Sequence, residues 1–206
     1  MLINVNPTRM ELLRLKGRYV FAKRGYKLLK DKLEGLMRGF LDVANKFIEN
    51  RKELDEKFMH LQRNFYVSTA DISTDELFSL LLGSSFSVDM TAEEGSVMNV
   101  KFPVFKEKEE GIPYSYPITF THEEIDIVFK EMKEILKEII TLSSVERELY
   151  CIAEEISKTR RRVNALEYIM IPDLEETIKY ISGKLEEMER GNIARLLKIK
   201  DTIRSH

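Results

Sequence analysis

From Leu12 to Phe47 the chain places an apolar side chain at alternating steps of three and four residues: Leu12, Leu15, Tyr19, Ala22, Tyr26, Leu29, Leu33, Leu36, Phe40, Val43 and Phe47. A stripe with a mean spacing of 3.5 residues stays in line on a helix only if that helix winds left-handed around a partner. The partner is present further along. Val145, Leu149, Ile152, Ile156, Thr159, Val163, Leu166 and Met170 repeat the pattern, which resumes at Leu174, Ile178, Ile181, Leu185 and Met188. Between Met170 and Leu174 two steps of four occur in succession, a stutter that locally unwinds a coil. Pro172 lies inside it, and a proline removes one helix hydrogen bond and crowds the turn before it. A kink near Pro172 is expected; the alternative is that Pro172 opens a separate helix, with Asp173, Glu175 and Glu176 favourably near its N-terminus.

The first stripe changes character beyond Phe47. One side continues through Leu54 and Leu61, the other turns polar at Asn50, Lys57 and Asn64, and Phe58 and Phe65 widen it. In the middle of the chain Ser73 and Glu76 form a capping box that predicts a short helix ending near Gly83. The period then falls to two at Val100, Phe102 and Val104, and again at Tyr114, Tyr116, Ile118 and Phe120. This predicts a β-hairpin whose charged turn ends at Gly111, with Pro103, Pro113 and Pro117 restricting its strands to edges. Thr121 and Glu124, a second capping box, would start the return helix.

The expected fold is therefore mainly α. A long antiparallel two-helix left-handed coiled coil is formed by the N- and C-terminal helices, with a small central insertion of a short helix and a β-hairpin. The expected divisions are 1–66, 67–121 and 122–206, the last kinked near Pro172.

Charge supports the antiparallel pairing. Charged residues make up 33% of the chain, against about 25% in an ordinary globular domain, as a surface-rich coil requires. Arg9, Arg14, Lys16, Arg18, Lys23, Arg24, Lys27, Lys30 and Lys32 are opposed within their own segment only by Glu11 and Asp31. Folded back, they come alongside Asp173, Glu175, Glu176, Glu186, Glu187 and Glu189. With 33 basic against 35 acidic residues the net charge is −2, so no nucleic-acid partner is expected.

Other functions find no support in the residues. No Gly-x-x-x-x-Gly-Lys-Ser/Thr phosphate loop occurs, His60, His122 and His206 are scattered, and Cys151 is the single cysteine. No catalytic, cofactor or metal site is expected. The longest uncharged apolar runs fall far short of the roughly 20 residues a membrane helix needs, and Met1 to Thr8 has neither basic leader nor apolar stretch. Direct membrane insertion is not expected.

Two stretches are more specific than a heptad pattern. Asn6-Pro7-Thr8-Arg9 leads into Glu11-Leu12-Leu13-Arg14-Leu15-Lys16, followed by Ala22-Lys23-Arg24-Gly25 and Lys27-Leu28-Leu29-Lys30-Asp31-Lys32. On the return segment Thr159-Arg160-Arg161-Arg162-Val163-Asn164-Ala165-Leu166-Glu167-Tyr168 precedes Ile171-Pro172, and Arg195-Leu196-Leu197-Lys198-Ile199-Lys200 follows. Over about residues 5–50 and 145–200 the chain resembles the D subunits of the archaeal and bacterial A/V-type rotary ATPases.

That resemblance implies a non-catalytic central rotor shaft, carrying torque between an ATP-hydrolysing or ATP-synthesising hexamer and an ion-translocating membrane rotor. Implied partners are the catalytic and non-catalytic nucleotide-binding subunits, the small F subunit of the stalk, and a funnel subunit leading to the rotor ring. The implied location is the cytoplasmic face of the plasma membrane, within a peripheral complex. Arg160, Arg161 and Arg162 cannot all face the seam, so with Arg9, Asn164 and Tyr168 they are the expected hexamer or stalk contacts. Phe58 and Phe65, where the seam lapses, are the expected contact for the small F subunit. The competing readings are a coiled-coil adaptor, the stalk of a secretion-type export ATPase, and a basic coil that binds nucleic acid. The first two would keep the heptads without reproducing the terminal stretches.

Overall fold

The computed structural model describes residues 6–70, 72–82, 86–111 and 123–204. Helix α1 spans Arg9–Ser68 and α2 spans Thr74–Leu82. Strands β1 (Ser87–Val97) and β2 (Val100–Glu110) follow. Helix α3 (Glu123–Ala165) leads through a π-helical turn, Leu166–Met170, into α4 (Ile171–Arg204). The N- and C-terminal helices pack antiparallel as a coiled coil, with the short helix and the hairpin inserted between them in sequence. Two compact units result: unit 1 holds Met1–Gly35 and Ile156–His206, and unit 2 holds Leu36–Glu155.

In unit 1 the core is built from Leu15, Ala22, Leu174 and Ile181, with Leu12, Tyr19, Leu166, Ile171, Ile178 and Leu185 packed against it. These are the heptad positions of the two stripes, now face to face. Tyr19 and Lys23 close one side: the Tyr19 hydroxyl donates to Glu175, and Lys23 Nζ lies 3.5 Å from the same carboxylate and 4.5 Å from the Tyr19 ring centre. Arg9 pairs with Glu189. The expected neutralisation of the basic stretch is only partial, because Glu186 is engaged by Ser182 and Glu187 by Arg190 on their own helix.

At Pro172 the helix neither breaks nor restarts. The Ile171 N–H bonds to the Leu166 carbonyl, one residue further back than in an α-helix. A proline ring clashes with the carbonyl four residues earlier, here that of Tyr168, and a widened turn relieves the clash without a sharp stop. The turn also carries Met170 out of the seam, to 51% exposure, whereas Leu174 returns to the core at 4%.

In unit 2 the core is Leu54, Leu61, Val128, Ile135 and Leu142, with Phe47 and Phe65 against it. The polar lapse on α1 is matched by α3: Lys57 pairs with Glu138, and Asn64 Nδ2 donates to Glu131 at 3.3 Å. The capping box of α2 forms as expected, the Ser73 N–H donating to Glu76 and the Glu76 N–H to Ser73 Oγ, at 3.2 and 3.3 Å.

The hairpin is present with a different partner strand. Val100, Phe102 and Val104 lie on β2 as expected, but β2 pairs with the preceding β1, through Glu94↔Pro103 and Gly95↔Phe102. The charged run Lys106 to Glu110 belongs to the strand itself. The turn is Met98-Asn99, both with positive φ (48° and 66°), the mirror-image turn that follows the twist of a hairpin. At Gly95 a Cβ would come within 2.8 Å of the Phe102 and Val104 side chains, so glycine is needed there. Tyr114 to Phe120, Thr121 and Gly83 lie outside the described residues.

β2 is tied to α3 by the Phe105 N–H donating to Ser144 Oγ at 2.9 Å, and by Glu107 and Glu109 with Lys133 and Lys137 at 2.7–3.1 Å. Hydrogen bonds from Lys133 and Lys137 hold the Glu109 carboxyl below its ordinary 4.5, and hydrogen bonds to Glu109 and Glu107 raise Lys137 above 10.5. A depressed carboxyl stabilises docking above pH 4.5 and loses that contribution as pH falls through its folded value. A raised amine does the reverse, losing its contribution above pH 10.5. Protection of the Phe105 amide against hydrogen exchange, corrected for intrinsic rate, is therefore expected to be flat between these limits. It should decline beyond either one, and in molar salt, where screening acts over about 3 Å.

Candidate functional site

No described helix is long and apolar enough to cross a membrane, and no group of three or more His, Cys, Asp or Glu that could hold a metal ion occurs among the described residues. What the chain offers instead is surface. Thr159 and Val163 are buried, at 0% and 5% exposure, and they turn the residues between them outward. Arg160, Arg161 and Arg162 are all exposed. None of the three makes an ion pair among the described residues, so three guanidinium groups, each with a planar fork of donors, stand open to carboxylates of another molecule. Asn164 is exposed on the same turn of the chain, and Tyr168, on the π turn, is 72% exposed. Arg9 is exposed as well, though engaged by Glu189.

Of the two phenylalanines expected to face a small partner, the structure separates the pair. Phe65 is partly buried against the unit 2 core. Phe58 is 50% exposed, next to Met59 (70%) and rather more than two turns before the exposed Tyr66 and Val67.

The profile of the family described as the D subunit of ATP synthase matches residues 11–201. The chain belongs to this family. It is 44% identical to the V-type ATP synthase D subunit of Acetivibrio thermocellus over 204 residues, 97% of this chain and 92% of that one. Identity to the V-type ATP synthase D subunit of Clostridium novyi is 42% over 203 residues, covering 96% and 94% of the two chains. For its counterpart in Clostridioides difficile it is 41% over 204 residues, covering 98% and 92%. The resemblance carried by the terminal stretches thus extends through the middle of the chain, where no single motif announces it.

On this member of the ATP synthase D family, one surface is missed by the heptad reading. A second apolar stripe on α1, Met10, Leu13, Val20, Phe21 and Leu28, faces away from the seam at 47–83% exposure. Its signal is present in the sequence: these positions adjoin the seam positions and are apolar where a simple amphipathic helix would be charged. Beside Phe21, between α1 and the π turn, lies an open groove of about 870 Å³ lined by Gly17, Gly25, Leu166, Ile169 and Met170, with Arg18 and Asp173 as its charged lining residues.

Proposed function

We propose that this chain is the central rotor shaft of a V-type ATP synthase, a non-catalytic component that carries torque between the nucleotide-binding hexamer and the ion-translocating membrane rotor. The observation that carries the reading is the family match over residues 11–201. A two-helix coil suits the role, because each helix braces the other while their outer faces remain free for different neighbours. In this reading Arg160, Arg161 and Arg162, with Arg9, Asn164 and Tyr168, meet the hexamer or stalk. Phe58, with the exposed edge of Phe65, meets the small F subunit of the stalk. A funnel subunit links the shaft to the rotor ring, and the whole stands on the cytoplasmic face of the plasma membrane.

The test is purification of the chain from its native membranes in mild detergent at physiological salt, with mass spectrometry of stoichiometric companions and an ATPase assay. Nucleotide-binding subunits and one small globular partner per shaft are the expected companions. Replacing all three arginines by glutamate should lower their recovery at least tenfold, since three charge-assisted contacts become repulsive. Companions of another kind, without ATPase subunits even after gentle crosslinking, would overturn the reading in favour of a coiled-coil adaptor.

A further inference from the structure

The groove beside Phe21 is not explained by the packing of unit 1 itself. Glycine within a helix costs roughly 1 kcal/mol relative to alanine, and a Cβ added at Gly17 or at Gly25 would meet nothing within 4 Å. The two glycines stand one turn before and one turn after Phe21 on the same face of α1 and leave a notch on either side of it. Phe21 is 80% exposed, Ile169 62% and Met170 51%. Large apolar side chains gathered in a concave surface mark a docking site. The π turn contributes directly, because it carries the heptad position Met170 out of the seam to the groove, where Ile169 also lies.

Charge indicates what the groove receives. Unit 1 carries 20 Lys and Arg against 11 Asp and Glu, a net of +9 within a chain whose total is −2. Arg18 and Asp173 both line the groove, and Arg24 and Arg162, outside that lining, stand one turn from Phe21 and Leu166; none of the three arginines makes an ion pair among the described residues. Nucleic acid would satisfy these cations but would leave the apolar floor uncovered.

We infer that this groove is the seat of a helix or loop from a partner protein of the complex that inserts a large apolar side chain between Gly17 and Gly25, flanked by Asp or Glu that meet Arg18, Arg24 and Arg162. The inference rests on the shaft reading and adds to it the contact surface and the chemistry of its occupant.

The experiment compares binding of the full-length chain and of a Gly17→Leu/Gly25→Leu variant to the purified complex depleted of this chain. Leucine favours helix and meets open space here, so thermal unfolding of the free variant should occur at an equal or higher temperature. Its affinity for the complex should nevertheless fall at least about tenfold, as for a filled hot-spot pocket. Arg18→Glu should also weaken binding, with a loss that shrinks as salt rises. Binding of the double variant within twofold of wild type overturns the groove while leaving the shaft reading intact. Failure of the wild-type chain itself to rejoin the complex overturns the shaft reading and this inference with it. Groove-dependent binding that is competed by DNA but not by the complex, or dimers of the free chain that the double variant abolishes, would assign the groove to nucleic acid or to a second copy instead.

Discussion

Ile181→Ala is expected to destabilise unit 1 by about 3 kcal/mol, the middle of the range for removing a large buried aliphatic side chain. Ile181 has 0% exposure and packs in the cluster of Leu15, Ala22 and Leu174. Two helices alone line that cluster, so the cavity left by three missing carbons cannot be filled from a third element. Leu185→Ala, at a half-buried position on the next turn of α4, should cost less because water can reach the vacated space. Urea unfolding of the two variants measures the difference. Hydrogen exchange should place the loss in residues 9–35 and 156–204, with protection of the Leu54, Leu61, Val128, Ile135 and Leu142 core retained.

The second large effect has the opposite sign. Thr159 is fully buried, at 0% exposure, and its hydroxyl has no hydrogen-bond partner. Thr177, comparably buried in the same seam, donates to the Asp173 carbonyl at 2.7 Å. A buried polar atom left unpaired costs about 1–3 kcal/mol, and replacing it with a methyl group of the same shape removes that cost. Thr159→Val keeps the branching at Cβ and so leaves helix propensity nearly unchanged. It should stabilise the chain by about 1–2 kcal/mol, read as a higher urea midpoint at an unchanged slope. The same substitution at Thr177 removes a satisfied bond and should be neutral or mildly destabilising. A polar residue in a heptad seam commonly specifies register at a cost in stability, which gives Thr159 a reason to be tolerated in a coil whose two helices must meet at one alignment.

Much of this fold could be read from spacing. Every position of the first stripe from Leu12 to Phe47 is buried or half-buried, because heptad periodicity reports directly which side of a helix meets its partner. The exceptions arise where a local bond overrides the period. Met170 fits the arithmetic yet faces outward, since the turn preceding Pro172 is wider than the α-helix the spacing assumes. The early part of α3 keeps the period, with Ile125, Val128, Met132, Ile135, Ile139 and Leu142 all apolar, yet Met132 and Ile139 are 47% and 41% exposed, so spacing there does not say which apolar positions are covered. The hairpin is legible from β2 but its neighbour is not. β1 contains Glu93, Glu94 and Gly95, poor strand formers, and its Met98-Asn99 turn lacks the glycine that usually announces a mirror-image turn.

The exposure of the candidate contact residues is legible to a different degree. Arg160, Arg161 and Arg162 could be directed outward by helical geometry once Thr159 and Val163 were assigned to the seam. Phe58 and Phe65 could not be separated, because both widen the stripe and only the position of α3 decides which one is covered. The second apolar face around Phe21 is masked in the linear sequence, where its residues sit next to seam residues although about 100° per residue of helical rotation carries them to the far side of α1.

The partition of charge has a consequence for the free chain. Unit 2 carries 13 Lys and Arg against 24 Asp and Glu, a net of −11, beside +9 in unit 1. An isoelectric point of about 6.1 therefore describes neither surface, and at neutral pH both are far from the uncharged condition that promotes precipitation. Attraction between copies, unit 1 of one to unit 2 of another, is expected over a range set by the ionic atmosphere: about 30 Å at 0.01 M salt and about 8 Å at 0.15 M. Any self-association of the free chain through these opposite charges is therefore expected to weaken as salt rises from dilute buffer to physiological strength.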